Sequence, residues 1–126
     1  KEKDNPLFHI FPNIEYRFFL ALEREVAVWV GNSSAGLIES SSFKTPVVNI
    51  GSRQMDRQRG SNVIDAKYDR KEIIRAIKKS LYDQNYREHL STIRNPWGDG
   101  KTGKRVCKIL EDLKPNSKLL AKRLTY

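Results

Sequence analysis

The sequence predicts an α/β fold, a parallel sheet flanked by helices, from three observations. Short apolar runs at residues 26–30, 47–50 and 62–65 alternate with stretches whose apolar residues recur at three- and four-residue spacing. Polar loops follow the first two runs, at residues 31–34 and 51–61, where an open parallel sheet gathers ligands beyond the carboxyl ends of its strands. The first run also passes directly into Gly31-Asn32-Ser33-Ser34-Ala35-Gly36, small hydroxyl-bearing residues that turn a strand into a helix.

Taken in order, Phe8-His9-Ile10-Phe11 reads as a short strand. Pro12-Asn13 then opens a helix to about Glu25, with Ile14, Phe18, Ala21 and Leu22 on one face. Residues 26–30 are a β-branched strand, and a helix from about Ser34 to Phe43 follows the small-residue turn. Lys44-Thr45-Pro46 leads into the strand Val47-Val48-Asn49-Ile50, which Gly51 ends. Residues 52–61 show neither helical nor alternating periodicity and read as a loop before the strand Asn62-Val63-Ile64-Asp65. Asp69 is suited to cap a helix to about Asp83 whose core face is Ile73, Ile74, Ile77 and Leu81, with further helix from Asn85 to Leu90. Asn95-Pro96-Trp97-Gly98-Asp99-Gly100 is a loop, and Lys101 or Thr102 opens a last helix with Val106, Ile109, Leu110 and Leu113 inside. The tail from Pro115 to Tyr126 is helical or frayed.

The 126 residues suit one domain with its own core. The first residue is Lys, and residues 1–6 read as a surface connection entered from elsewhere, so the chain is expected to be part of a larger protein. With 38% hydrophobic and 31% charged residues it belongs among soluble globular chains, and no apolar run reaches the roughly 18–20 residues that span a bilayer. Without a secretion signal, a cytoplasmic location is expected. Cys107, the single cysteine, excludes an internal disulfide and a cysteine-rich metal site and reads as a small core residue. The net charge of +9 points to an anionic partner. Lys101, Lys104, Arg105, Lys108, Lys114, Lys118, Lys122 and Arg123 crowd the C-terminal part, in a spacing usual for a solvated face.

The corner after residue 30 carries the chemistry. Ser33 or Ser34 is placed to cap the helix, Gly31 and Gly36 allow close approach to the backbone, and Glu39 falls one to two turns further on. Free N–H groups and a helix dipole at such a corner favour a diphosphate, although the same pattern also serves as a plain tight turn. The two histidines, His9 and His89, read as ordinary surface or edge residues, and Asp99 as a residue that shapes its turn or caps the next helix. No metal-ligand cluster appears, and no cofactor is implied.

Four segments in register then resemble the C-terminal lobe of the hydrolysing UDP-N-acetylglucosamine 2-epimerases. They are Gly31-Asn32-Ser33-Ser34-Ala35-Gly36 with Glu39, Thr45-Pro46-Val47-Val48-Asn49-Ile50-Gly51-Ser52-Arg53-Gln54, Asn62-Val63-Ile64-Asp65 and Gly98-Asp99-Gly100-Lys101. The resemblance implies that residues 1–126 are a partial C-terminal, nucleotide-sugar-binding lobe, Rossmann-like, of a two-lobed glycosyltransferase-B-type fold. It implies that Ser33 and Ser34 hold the UDP phosphates, Glu39 binds the ribose hydroxyls and Arg53 adds a contact to UDP. It further implies that UDP-N-acetylglucosamine is converted to N-acetylmannosamine and UDP by elimination of UDP and hydration of the resulting glycal, as in sialic acid biosynthesis. The family's acid and base carboxylates belong largely to the other lobe, so catalytic residues are unknown in this chain and the chain alone is expected to be inactive. Arg57 and Arg59 match no family position and remain a positive loop. A lobe lacking its first strands should leave a sheet edge open to self-association or fold on a smaller core, so a homo-oligomer is a possible state.

Two other readings stay open. One assigns the lobe to a glycosyltransferase or a non-hydrolysing epimerase. The other is a basic nucleic-acid or protein-interaction module, which needs aromatic side chains interleaved with cations on an exposed face. Phe8, Phe11, Phe18, Phe19, Trp29 and Phe43 instead fall in apolar runs suited to a core, which disfavours nucleic acid as a partner.

Overall fold

The computed structural model describes residues 5–117 and 121, and it divides into two compact units, residues 1–96 and 97–126. The first unit contains helix α1 (Tyr16–Glu25), strand β1 (Trp29–Gly31), helices α2 (Ala35–Ile38) and α3 (Ser40–Phe43), strands β2 (Val47–Ile50) and β3 (Val63–Ala66), and helices α4 (Arg70–Tyr82) and α5 (Gln84–Thr92). The strands form a parallel sheet in the order β1-β2-β3. Trp29 pairs with Val47 and Gly31 with Asn49, while β2 runs against β3 from Val47–Val63 to Ile50–Ala66. The expected α/β class is therefore present, with helices α2 and α3 carrying the first crossover and residues 51–62 the second.

Helices pack on both faces of the sheet, although Val30 of the edge strand β1 is exposed. On one face Val48, Ala66 and Ala76 of α4 form a buried cluster, with Val28, Ile50, Ile64, Ile73 and Ile77 packed around it. On the other, the Trp29 ring lies under α2, and a Cβ at Gly36 would stand 2.6 Å from ring carbons. Gly36 is thus required for helix-to-strand packing, and the group that approaches its backbone is Trp29. Asp69 caps α4 as the sequence predicts, accepting from Glu72 N at 2.9 Å, and Asp83 caps α5 by accepting from Tyr86 N at 2.9 Å.

Asn62, fully buried just before β3, ties the layers together. Its Nδ2 donates to Ser40 Oγ at 2.8 Å and to Thr45 O at 2.7 Å, and its Oδ1 accepts from Ser41 Oγ at 3.0 Å. Its carbonyl accepts from Val47 N at 2.9 Å and from the Tyr86 hydroxyl at 2.6 Å. One side chain thereby holds α3 and the entry to β2, while its backbone joins β2 and α5.

Several expectations are corrected. Residues 8–11 are not a strand, and Phe8, Ile10 and Phe11 are exposed, because no neighbouring strand among the described residues supplies a ladder to pair with. Helix α1 starts at Tyr16 and turns Phe19, Leu20 and Glu23 inward, leaving Phe18, Ala21 and Leu22 exposed. Phe8, Phe11 and Phe18 therefore do not join a core, whereas Phe19, Trp29 and Phe43 are half-buried. The predicted strand 26–30 shortens to β1 because Val26 N still bonds to Leu22 O at the end of α1. The helix expected from Ser34 to Phe43 is two single turns meeting at Glu39. Ile74 of α4 is exposed.

The second unit contains helix α6 (Thr102–Asp112), entered through Gly98 and Gly100, both with positive φ. Every residue of α6 is exposed, including Val106, Ile109, Leu110 and Cys107, and Leu113 just beyond it is exposed too. An apolar stripe needs a covering surface to become core, and a single helix with its loop provides none. Most of the tail from Pro115 lies outside the described residues, as do residues 1–4 of the proposed connection. Among the described residues, no helix is long and apolar enough to cross a membrane.

If Asn62 is the join described, Asn62→Ala should lower the unfolding free energy by about 3 kcal/mol in a urea titration, since it strands buried Ser and carbonyl partners.

Candidate functional site

The carboxyl edge of the sheet is formed by Asn32–Ser34 after β1, residues 51–61 after β2 and Lys67-Tyr68 after β3. The loop after β2 is anchored to the corner after β1 by a single side chain: buried Gln54 donates from Nε2 to Asn32 O at 2.8 Å. Arg59 in turn donates to Gln54 O and pairs with Asp65 Oδ1, which also accepts from Asn49 Nδ2 at 2.7 Å. Arg59 is therefore a structural cation of the edge rather than part of a free positive loop, while Arg57 is exposed. Gly51 takes φ +76°, with the Tyr68 ring so close that a Cβ there would stand 2.0 Å from it.

Ser33 is exposed and accepts from Ala35 N at 3.3 Å, so its hydroxyl, and not that of Ser34, caps α2. Ser34 occupies the cap position with helical φ and ψ and makes no side-chain cap, while its carbonyl accepts from Leu37 N and Ile38 N. Because α2 is a single turn, the summed helix dipole is small, and the capacity of this corner for an anion rests on its two hydroxyls and nearby N–H groups. Arg53, directly before the anchoring Gln54, is exposed on the neighbouring loop. The Gln54–Asn32 bond thus sets Ser33, Ser34 and Arg53 on adjoining loops of one edge. Glu39 lies further in, at the junction of α2 and α3, half-buried, with Oε2 buried and unpartnered.

Sequence reasoning missed Glu23. It is 1% exposed on α1, neither carboxylate oxygen has a hydrogen-bond partner, and its pKa is raised from 4.5 to about 7 by burial first and by the charge of Glu39 second. No signal in the chain marks it, because a glutamate between Leu22 and Arg24 reads as surface. Also missed is a cleft of about 390 Å³ at the ends of β2 and β3, lined by Gly51, Met55, Asp65, Tyr68 and Glu72 among others. It does not include Ser33, Ser34, Glu39 or Arg53.

His9 is exposed, and His89 Nε2 meets Ser61 Oγ at 2.8 Å in solvent. Asp99 behaves as its turn context predicts: it accepts from Lys101 N at 3.0 Å and from both terminal nitrogens of Arg105 at 2.7 Å, which hold its carboxyl below the usual range. Among the described residues no group of three or more His, Cys, Asp or Glu side chains is placed to hold a metal ion.

Glu23 gives a signed pH dependence. Between pH 4.5 and about 7 the folded chain keeps a proton that the unfolded chain loses, so stability falls as pH rises through that window and levels off above it. In Glu23→Gln this component should vanish, which denaturant titrations at pH 5 and pH 8 would show as a smaller loss than in the parent chain.

Comparison with known proteins places the chain in a family. The family model described as UDP-N-acetylglucosamine 2-epimerase matches residues 2–111. A UDP-N,N'-diacetylbacillosamine 2-epimerase (hydrolyzing) of Legionella pneumophila subsp. pneumophila is 33% identical over 123 residues, 98% of this chain and 31% of the relative. A UDP-N-acetylglucosamine 2-epimerase of Neisseria meningitidis serogroup B is 37% identical over 73 residues, 58% of this chain and 19% of the relative. The polysialic acid biosynthesis protein P7 of Escherichia coli is 32% identical over 105 residues, 83% of this chain and 27% of the relative. The chain spans about a third or less of the length of these curated relatives. By the match over most of its length, the chain belongs to the UDP-N-acetylglucosamine 2-epimerase family.

Proposed function

We propose that this chain is the UDP-holding part of a hydrolysing 2-epimerase acting on a UDP-N-acetylhexosamine. The observation that carries the reading is the family match across residues 2–111 together with the bond from Gln54 to Asn32 that joins the loop of Arg53 to the corner of Ser33 and Ser34. In this reading the Ser33 and Ser34 hydroxyls donate to the diphosphate, and the Arg53 guanidinium, free in solvent, adds charge-assisted bonds. The Glu39 carboxylate accepts from the ribose hydroxyls.

In the proposed reaction a base removes the proton from carbon 2 of the sugar, and the C1–O bond breaks with its electron pair leaving on UDP. Water then adds across the resulting glycal, its oxygen to carbon 1 and a proton to carbon 2 on the opposite face. The contribution of this chain is to stabilise the charge that develops on the departing diphosphate, which is electrostatic catalysis by groups already in place. The acid and base belong to a partner lobe, and isolated activity is not expected. Relatives named as hydrolysing enzymes of diacetylbacillosamine nucleotides favour this over a glycosyltransferase or a non-hydrolysing epimerase. The exposure of Phe8, Phe11 and Phe18 removes one objection to an interaction module, but the family match outweighs it.

Replacing both Ser33 and Ser34 by Ala should weaken UDP about tenfold, the value of a hydrogen bond or two to a charged group, and leave uridine unchanged. Calorimetric titration with UDP, UMP and uridine reads this directly, and an equal loss for UDP and uridine contradicts a phosphate role.

A further inference from the structure

Residues 52–59, the loop that carries Arg53, have little burial to hold their shape, since only Gln54 is buried and Arg59 half-buried. Their conformation must come from polar bonds. It is a demanding one, because Asp56 stands at φ +63°, a left-handed backbone that a residue other than glycine keeps only when its surroundings impose it. Two bonds of the loop backbone help, Met55 N to Ser52 O at 3.0 Å and Arg57 N to Gln54 O at 3.4 Å, the second of them long.

Arg59 supplies what these bonds do not. Its Nε donates to Arg57 O at 3.1 Å, its Nη2 to Gln54 O and its Nη1 to Asp65 Oδ1, so all three guanidinium nitrogens are engaged. The two carbonyls lie on either side of Asp56, and the carboxylate belongs to β3. Asp65 is fixed in turn, because Asn49, buried in β2, donates to the same oxygen at 2.7 Å. One planar fork thus clamps a strained turn to the sheet.

The clamp bears directly on Arg53. Just before it, Gly51 N donates to Ala66 O at 2.8 Å; just after it, Gln54 is held at its side chain by Asn32 O and at its carbonyl by Arg59. The Arg53 backbone is therefore fixed from both sides while its side chain stays exposed. Arg59 has the opposite character. Its charge is met by Asp65 and its side chain is only 21% exposed, which suits holding the loop and not meeting an anion.

We propose that Arg59 is a positioning residue for diphosphate binding: by tying the carbonyls of Gln54 and Arg57 to Asp65 it presets the loop on which Arg53 reaches the phosphates. The proposal rests on the UDP reading given above. Without the clamp the loop must order itself as ligand binds, and that entropy is taken from the affinity. The loss falls only on ligands that Arg53 touches.

The test is calorimetric titration of UDP and uridine into the 126-residue chain and into Arg59→Lys, Asp65→Ala and Arg53→Ala, alone and with each of the first two combined with the third. Lysine keeps the charge of Arg59 but cannot reach three acceptors at once, so Arg59→Lys should weaken UDP about tenfold and leave uridine unchanged. Asp65→Ala separates positioning from charge. It removes an acid and frees a guanidinium, which by electrostatics alone tightens an anion, whereas loss of the clamp weakens UDP about tenfold. In the Arg53→Ala background both substitutions should change UDP affinity less than twofold, because residues that act through one another are not additive.

UDP affinity that is unchanged in Arg59→Lys, tighter in Asp65→Ala, or reduced by the same factor with and without Arg53 overturns the proposal, as does an equal loss for uridine. Should Arg59→Lys fold poorly, Asp65→Ala and its combination with Arg53→Ala decide the matter alone. A parent chain that binds no UDP sinks the UDP reading and this role together. A parent chain that binds UDP, with additive losses, sinks this role only.

Discussion

The carboxamide of Asn62 is the constraint on which the rest of this chain depends. It has no exposure to water, and its amide nitrogen and oxygen engage Ser40, Ser41 and Thr45 together. Those three residues belong to α3 and to the segment that enters β2, so one side chain at the head of β3 decides how α3 lies on the sheet. Glu39 sits where α2 meets α3, and the serine corner lies one short turn before it. A buried amide with three satisfied bonds also tolerates few alternative packings, since any other arrangement leaves polar groups unpaired. The position of the candidate site is thus set by polar bonding as much as by the small apolar cluster of Val48, Ala66 and Ala76.

A second set of polar bonds shapes the edge where ligand is expected. Gln54, Arg59, Asp65 and Asn49 form a chain of bonds from the corner after β1 to the end of β3. This chain accounts for one cation of the loop and leaves Arg53 and Arg57 exposed. High positive charge therefore divides into structural and available parts, a distinction that net charge alone does not make. The same holds for Arg105, whose guanidinium is engaged by Asp99 at the start of α6.

Much of this was legible in the chain, and the failures share a physical cause. Strand β2 and helix α4 are close to their sequence readings because both carry strong local signals, a β-branched run and an aspartate cap. The serine corner was legible as a strand-to-helix turn, but not the break at Glu39, where α2 and α3 each run for a single turn. Apolar periodicity misled at α1 and α6. It says that a face can be buried and not what covers it, so Phe18, Leu22, Val106 and Ile109 read as core and are exposed. Glu23 is the converse, a charged residue type in a buried place, and its raised pKa arises only when folding buries it. The Asn62 and Gln54 bonds are likewise products of tertiary structure, since each joins residues more than fifteen positions apart.

The central claim is that the corner after β1 and the loop of Arg53 receive the diphosphate of a uridine nucleotide. The most direct measurement is a nitrogen-15 amide titration of the chain with UDP. The account predicts saturable shifts at residues 32–36, 39 and 53–54, and little change at Tyr68, Glu72 or α6. Shifts confined to the cleft lined by Met55, Tyr68 and Glu72, or spread over the lysines of α6, would contradict it.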